Sequence, residues 1–143
     1  MMKILVSACL LGRNCKYSGG NNLNEQVQAF VQGHRVIPVC PEEVLGIPRV
    51  PMEIVNGVLI NKEGVCVDEP VRRAAEKIVA ENRDADLAIL KSRSPTCGVR
   101  QVYDGSFSGR LIPGSGIFAQ ALREAGYRVL DAEEIKEGLP YAL

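Results

Sequence analysis

The chain of 143 residues is predicted to fold as a three-layer α/β domain with a mostly parallel sheet. Short apolar stretches such as Lys3–Ala8 have strand length and lack polar alternation, which is typical of strands covered on both faces. Segments with apolar residues at helical spacing separate these stretches. The length suits a single domain over residues 1–143. Together these features indicate a Rossmann-like or flavodoxin-like arrangement with a small β-meander or hairpin insertion.

The first third of the chain supplies two strands and one helix. Lys3–Ala8 is the first predicted strand. Asn22 is predicted to cap a helix that ends at Gly33. Arg35–Val39 is the second predicted strand, although Pro38 is awkward in a central strand because it has no N–H to donate.

The pattern changes between residues 52 and 67, where short β segments flank Asn56-Gly57. This dipeptide is a strong hairpin signal and predicts a small antiparallel meander. In the rest of the chain, predicted helices and strands alternate again. A helix opened by Glu69 and Pro70 precedes a strand over Asp86–Leu90. A helix through 118–125 that ends at Gly126, a strand over Tyr127–Leu130 and a short acidic C-terminal helix follow. Two long irregular stretches, 12–24 and 95–116, are candidate site loops.

Composition and charge narrow the class of protein. Seventeen basic and seventeen acidic residues give a net charge of zero, which argues against binding to long nucleic acids or acidic membranes. Only five residues separate Lys3 from Cys9, whereas a lipoprotein signal needs roughly 7–15 apolar residues there. No stretch approaches the roughly 20 apolar residues of a membrane helix. We therefore expect a soluble, cytoplasmic protein with reduced cysteines.

Three of the five cysteines follow predicted strands. Cys9 and Cys40 come just after the first two strands, and Cys97 lies in the loop after the third. Because ligands bind at the carboxyl ends of parallel strands, these three thiols are expected to converge on one site. Cys66, inside the meander, is expected only to pack. Cys15 could be a fourth ligand, a resolving thiol or neither, and we favour no essential role.

Three converging thiolates suit a soft metal centre. Zinc, copper(I) and iron–sulfur clusters all accept such ligands. Structural zinc would need a fourth ligand, and the one histidine, His34, is expected at the opposite end of the sheet from Cys40. A [4Fe–4S] cluster held by three cysteines would leave one iron open to substrate as a Lewis acid.

Two carboxylates and a serine flank these cysteines. Glu42 and Glu43 follow Cys40, where they could complement a helix N-terminus or serve as a general base, with Glu42 the closer candidate. Ser94 precedes Cys97 by three residues and could cap a turn or hydrogen-bond a substrate.

The loop around Cys97 has further features. Gly98 is expected to provide unusual backbone angles. Lys91 and Arg93 are either solvated charges or anion contacts, and we favour the former. The segment Tyr103–Gly109 is predicted to form a hairpin flap.

The ordered set of motifs resembles the TudS-like family of 2-thiouracil desulfurases. The matching stretches are VSACLLG, KYSGG, VIPVCPE, LKSRSPTCG and VYDGSFSG, and they cover nearly the whole chain. The resemblance implies a [4Fe–4S] enzyme that removes sulfur from thiolated nucleobases and releases the oxo-base and sulfide.

The resemblance also implies roles for individual residues. Cys9, Cys40 and Cys97 would be the cluster ligands, Glu42 the acid/base carboxylate and Ser94 the polar partner of the substrate. Family members often carry Arg-Tyr-Asp-Gly where this chain has Lys-Tyr-Ser-Gly at residues 16–19, so that acidic position is absent here. The position of Cys15 varies among relatives, which favours leaving it out of the cluster.

Other functions use the same thiols. A zinc-thiolate hydrolase and a non-catalytic metal- or cluster-binding protein are the alternatives, and thiolated nucleosides in RNA are an alternative substrate. The zero net charge favours a small-molecule thiolated nucleobase over long RNA.

Overall fold

The computed structural model describes residues 1–15, 19–46 and 50–135. Within them the helices and strands run in the order β1 (Lys3–Ser7), α1 (Glu25–Val31), β2 (Arg35–Val39), β3 (Met52–Val55), β4 (Val58–Asn61), α2 (Asp68–Glu81), β5 (Leu87–Leu90), β6 (Gln101–Tyr103), β7 (Leu111–Pro113), α3 (Ile117–Glu124) and β8 (Val129–Asp131). Strands and helices alternate as the sequence predicts, apart from two small hairpins.

The central sheet has four parallel strands in the order β2-β1-β5-β8. Strand β1 lies inside the sheet, with Leu5 paired to Ile37 on one side and Ala88 on the other. Strand β2 lies at the edge, which explains how Pro38 is accommodated, because an edge strand leaves one side without ladder bonds. The predicted parallel α/β fold is confirmed.

Alternate side chains of β1 enter two separate cores. Ile4 and Val6 pack with α1, whereas Leu5 packs with α2 and α3. All three side chains are fully buried, and each such burial contributes about 1.5–3 kcal/mol to folding. The sheet is therefore covered on both faces, as a continuous apolar strand requires.

Helix α1 begins later than predicted. Asn24, not Asn22, is its N-cap, and the Asn24 side chain accepts a hydrogen bond of 3.0 Å from the Val27 N–H. The Asn22 backbone N–H instead donates to the Cys9 carbonyl at 3.0 Å. Leu23, between the two asparagines, also lies outside the helix and is half exposed. Two nearby asparagines offered the same cap signal, and the loop contact with Cys9 decides between them.

The predicted meander is reduced to one hairpin. Strands β3 and β4 are antiparallel around Asn56 and Gly57, whose φ angles of 50° and 83° suit a tight hairpin turn. The third segment contributes only an isolated bridge between Ile60 and Cys66. Cys66 is exposed, so its predicted packing role is wrong.

The C-terminal part differs from the predicted acidic helix. A short 3-10 turn, Ala132–Glu134, follows β8, and Asp131 caps it reciprocally with Glu134. Residues 136–143 lie outside the described part of the chain. None of the helices in the described ranges is long and apolar enough to span a membrane.

Replacing the cap of α1 tests its boundary. Asn24→Ala should lower the free energy of unfolding by about 1 kcal/mol, because the Val27 N–H loses its acceptor. Asn22→Ala is the matched control, and urea unfolding measures both. A larger loss in the Asn22 variant would contradict this boundary.

Candidate active site

A cleft of about 510 Å³ lies beyond the carboxyl ends of β1, β2 and β5. Helix α1 packs on one face of the sheet and α2 on the other, so the chain reverses its winding between β1 and β5. Such a switch point is the usual position of a ligand site in a doubly wound sheet.

The three strand-end cysteines all line this cleft. Cys9 lies in a 3-10 turn that follows β1 directly. Cys40 follows β2 and precedes a second 3-10 turn, Pro41–Leu45. Cys97 lies seven residues after the end of β5, on a loop that returns to the cleft. The structure thus brings the three thiols to one site, and their role as metal ligands stays a prediction.

Cys97 lies in the most protected position of the three. Burial raises the pKa of its thiol well above the usual value, and the negative charges of Glu42, Cys40 and Cys9 act in the same direction. A hydrogen bond from the Ser7 hydroxyl opposes this shift in the pKa. Ser7 is buried, and its oxygen also accepts the Lys91 N–H at 2.9 Å. Ser7 is not predicted as a site residue from the sequence, because a serine inside an apolar strand carries no signal of its contacts.

Ser94 organises the loop that carries Cys97. Its hydroxyl oxygen accepts hydrogen bonds from the backbone N–H groups of Thr96 at 3.1 Å and Cys97 at 3.0 Å. Ser94 also lines the cleft. It therefore caps a turn, as one interpretation of the sequence held, while its hydroxyl hydrogen can still be donated.

Gly98 is required for space rather than for its backbone angles. A Cβ at this position would lie 2.7 Å from the carbonyl oxygens of Ser94 and Gln101. The expectation of unusual angles was wrong for Gly98, whereas Arg93 in the same loop has a φ of 64°. Left-handed backbone in a non-glycine residue is strained and requires support from its surroundings.

Contacts with the 3-10 turn that follows β8 supply that support. Arg93 pairs with Glu133 at 2.9 Å, and the Ser92 hydroxyl hydrogen-bonds the same carboxylate, which lowers the pKa of Glu133. The Lys91 ammonium donates to the Ser92 carbonyl at 3.0 Å. Both cations also line the cleft, and Arg93 keeps 46% of its side chain exposed, so the choice between solvated charges and anion contacts stays a prediction.

Glu42 and Glu43 face different thiols. Glu42 lines the cleft, and its charge acts on Cys97. Glu43 pairs with Arg13 and approaches Cys15 and Cys40. The segment that holds the two glutamates is a 3-10 turn of five residues rather than a longer helix.

Cys15 also lies at the cleft, a position that its place in an irregular stretch of sequence does not predict. It is 3% exposed, lines the cleft and hydrogen-bonds Cys40. Burial, followed by the charges of Cys40 and Cys9, raises the pKa of Cys15 to about 12. A fourth thiol therefore lies at the site. His34, by contrast, accepts the Met2 N–H at the opposite end of β1, as predicted.

Glu53 on β3 anchors the segment 104–110, here called the flap. Its Oε1 accepts hydrogen bonds from the backbone N–H groups of Gly105 at 2.9 Å and Phe107 at 3.2 Å. Strands β6 and β7 pair on either side of the flap, so a hairpin forms, but the predicted segment Tyr103–Gly109 is mostly its loop rather than its paired strands. Glu53 and Tyr103 line the cleft, so this carboxylate connects the flap to the site.

The fold and the cleft define a doubly wound α/β protein with a thiol-rich site at its strand ends. The 2-thiouracil desulfurase family model matches residues 4–134, and the chain belongs to this family. The uncharacterized protein YbbK of Bacillus subtilis (strain 168) is 36% identical over 148 aligned positions, which cover 94% of this chain and 98% of YbbK. The solved structure of a [4Fe–4S]-dependent thiouracil desulfidase, TudS, has a TM-score of 0.85 and 30% identity, covering 94% of this chain and 93% of TudS.

Removing the Glu53 carboxylate should release the flap. In Glu53→Ala, hydrogen exchange at the amides of Gly105 and Phe107 should accelerate by about tenfold or more, because each amide loses a charged acceptor. Glu63→Ala, which removes an exposed glutamate from the same region of the chain, should leave both amides unchanged. Equal exchange rates in the two variants would contradict the anchoring role.

Proposed function

We propose that this chain, as one desulfurase domain over residues 1–143, removes sulfur from a small thiolated nucleobase such as 2-thiouracil. The observation that carries the proposal is the convergence of Cys9, Cys40 and Cys97 on one cleft that Glu42 also lines. Membership of the 2-thiouracil desulfurase family supports this choice of substrate class.

The donor groups of the cleft suit an iron–sulfur cluster. Its cysteines are not joined by disulfides, and thiolates are the usual ligands of such clusters. The three strand-end thiols come from separate loops and face a common space. In this proposal Cys9, Cys40 and Cys97 would hold a [4Fe–4S] cluster, which would supply Lewis-acid chemistry for the substrate sulfur at an iron without a protein ligand.

Glu42 is proposed to act as the general base. The overall reaction exchanges a C=S group and water for a C=O group and sulfide, so it transfers no electrons. Water must lose protons as it attacks the ring carbon, and an ionised carboxylate within hydrogen-bond reach can accept one of them. Glu42 lines the cleft beside the thiols, the space that a bound nucleobase and the attacking water would share.

Ser94 is proposed to orient the nucleobase substrate. Its oxygen is fixed by the N–H groups of Thr96 and Cys97, so the remaining hydroxyl hydrogen has a restricted set of directions. A donor held in place before the reaction avoids part of the entropic cost of orientation. Ser7 would support Cys97 through its hydrogen bond to the sulfur.

The metal assignment is tested on protein purified without oxygen. Iron and acid-labile sulfide should each reach about four per chain, with a visible spectrum of a cluster and loss of sulfur from added 2-thiouracil. Cys97→Ser should lose the cluster, whereas Cys66→Ser should keep it because that thiol is exposed outside the cleft. Colourless, iron-free protein whose activity depends on zinc would instead support a zinc-thiolate hydrolase.

The role of Glu42 is tested by Glu42→Gln, which keeps the shape of the side chain and removes its basicity. We expect kcat for 2-thiouracil to fall by about a hundredfold or more, with the iron content unchanged. Glu63→Gln removes one exposed negative charge outside the cleft and serves as the control. Full activity of the Glu42 variant would remove this residue from the mechanism.

A further inference from the structure

A second group of metal-binding side chains lies against the proposed cluster site. The ligand atoms of Cys15, Cys40 and Glu43 all lie within 4.8 Å of one another. They come from the loop after the first 3-10 turn, from the end of β2 and from the second 3-10 turn. The strand-end set of Cys9, Cys40 and Cys97 shares only Cys40 with this group.

The spacing of these atoms is close to that of a zinc site. Zn–S bonds of about 2.3 Å and Zn–O bonds of about 2.0–2.2 Å place tetrahedral ligands about 3.5–3.8 Å apart. The atoms here are at most 4.8 Å apart, so side-chain shifts of about an ångström would complete the geometry. Two sulfurs and one carboxylate oxygen are ligands that zinc accepts, with a fourth position left for water.

Only one of the two Glu43 carboxylate oxygens has a hydrogen bond among the described residues. Its Oε2 accepts a hydrogen bond from the Arg13 guanidinium at 3.1 Å. Its Oε1 lies 3.1 Å from the Arg13 Nε in an ion pair, but it is buried and has no hydrogen-bond donor among the described residues. Buried carboxylate oxygens normally have such a partner. A cation bound beside the two thiols would provide one.

The charges of the group also balance around a divalent cation. Two thiolates and one carboxylate carry three negative charges when all are ionised. A divalent cation and the Arg13 guanidinium, which contacts the carboxylate, supply three positive charges. A partly buried site without net charge avoids the large cost of desolvating an uncompensated ion.

We propose that Cys15, Cys40 and Glu43 form a binding site for a divalent zinc-like cation, separate from the cluster site. The cation site itself does not depend on the proposed function. The consequence for the metal state of the chain does depend on it: with the Cys40 thiolate bound to one metal at a time, a bound cation and the cluster exclude each other. The chain would then have two alternative metal states, of which only one is competent for desulfuration.

Cobalt(II) is the probe for this site because its bonds to thiolates absorb in the near ultraviolet. The full-length protein, reduced and freed of metal, should develop this absorption on titration, and zinc should displace it. Cys15→Ser should weaken cobalt binding by about a hundredfold or more, since loss of even an outer partner costs 10–100-fold. Glu43 is only partly buried, so Glu43→Gln should weaken cobalt binding less, by about tenfold.

The controls separate the two sites. Cys97→Ser and Cys66→Ser should bind cobalt like the unmodified chain, and circular dichroism should match for all variants. Loss of binding in Cys97→Ser but not in Cys15→Ser would place the cation on the strand-end thiols and overturn the proposal. Absence of the thiolate absorption in the unmodified chain would also overturn it.

A cluster measurement distinguishes this proposal from the proposed function. Cys15→Ser should assemble the same iron content as the unmodified chain when reconstituted without oxygen. Loss of the cluster in that variant would make Cys15 a cluster ligand and overturn a separate site. Failure of the unmodified chain to assemble a cluster would contradict the proposed function alone, because the cobalt result does not depend on it.

Discussion

The parallel pairing of β1 with β2 and β5 is the constraint on which the whole site depends. Ser7 is paired with Val39, and Val6 with Ile89, so all three strands end at the same edge of the sheet. Cys9 and Cys40 therefore lie just beyond the adjacent ends of two paired strands. Because side chains alternate between faces, a register slip of one residue would exchange the two cores of β1 and separate these thiols. The fully buried side chains of β1 fix the register and thus the site.

The loops around the cleft contain buried polar groups and strained backbone. Thr96 has a buried hydroxyl oxygen without a hydrogen-bond partner among the described residues. Arg93 adopts a left-handed backbone beside the cleft and is held by Glu133. The buried carboxylate of Asp131 accepts the Val99 N–H, and burial raises the pKa of this group. Strain and unsatisfied groups collect where the sequence serves a site rather than stability.

The sequence predicts those parts of the molecule that follow a period or a local rule. Apolar runs locate the strands, Asn56-Gly57 locates a hairpin, and the strand-end rule brings Cys9 to the cleft. Contacts between residues that are far apart in the chain follow no such local pattern. Cys15 lies in an irregular stretch, and Glu53 reaches a flap 52 residues away in the chain. These contacts depend on tertiary geometry, which local spacing does not encode.

The second 3-10 turn explains how one cysteine comes to border two groups of ligands. A 3-10 helix has three residues per turn, so consecutive side chains diverge by about 120°. Glu42 can therefore act on Cys97 in the cleft while Glu43 turns towards Cys15 and Arg13. Cys40, at the start of this turn, lies between the two directions. In a longer α-helix, consecutive side chains would diverge by about 100° and an extra turn would carry the chain away from β2. A short, tight turn directly after an edge strand thus places one carboxylate in the cleft near Cys97 and the other beside Cys15 and Cys40.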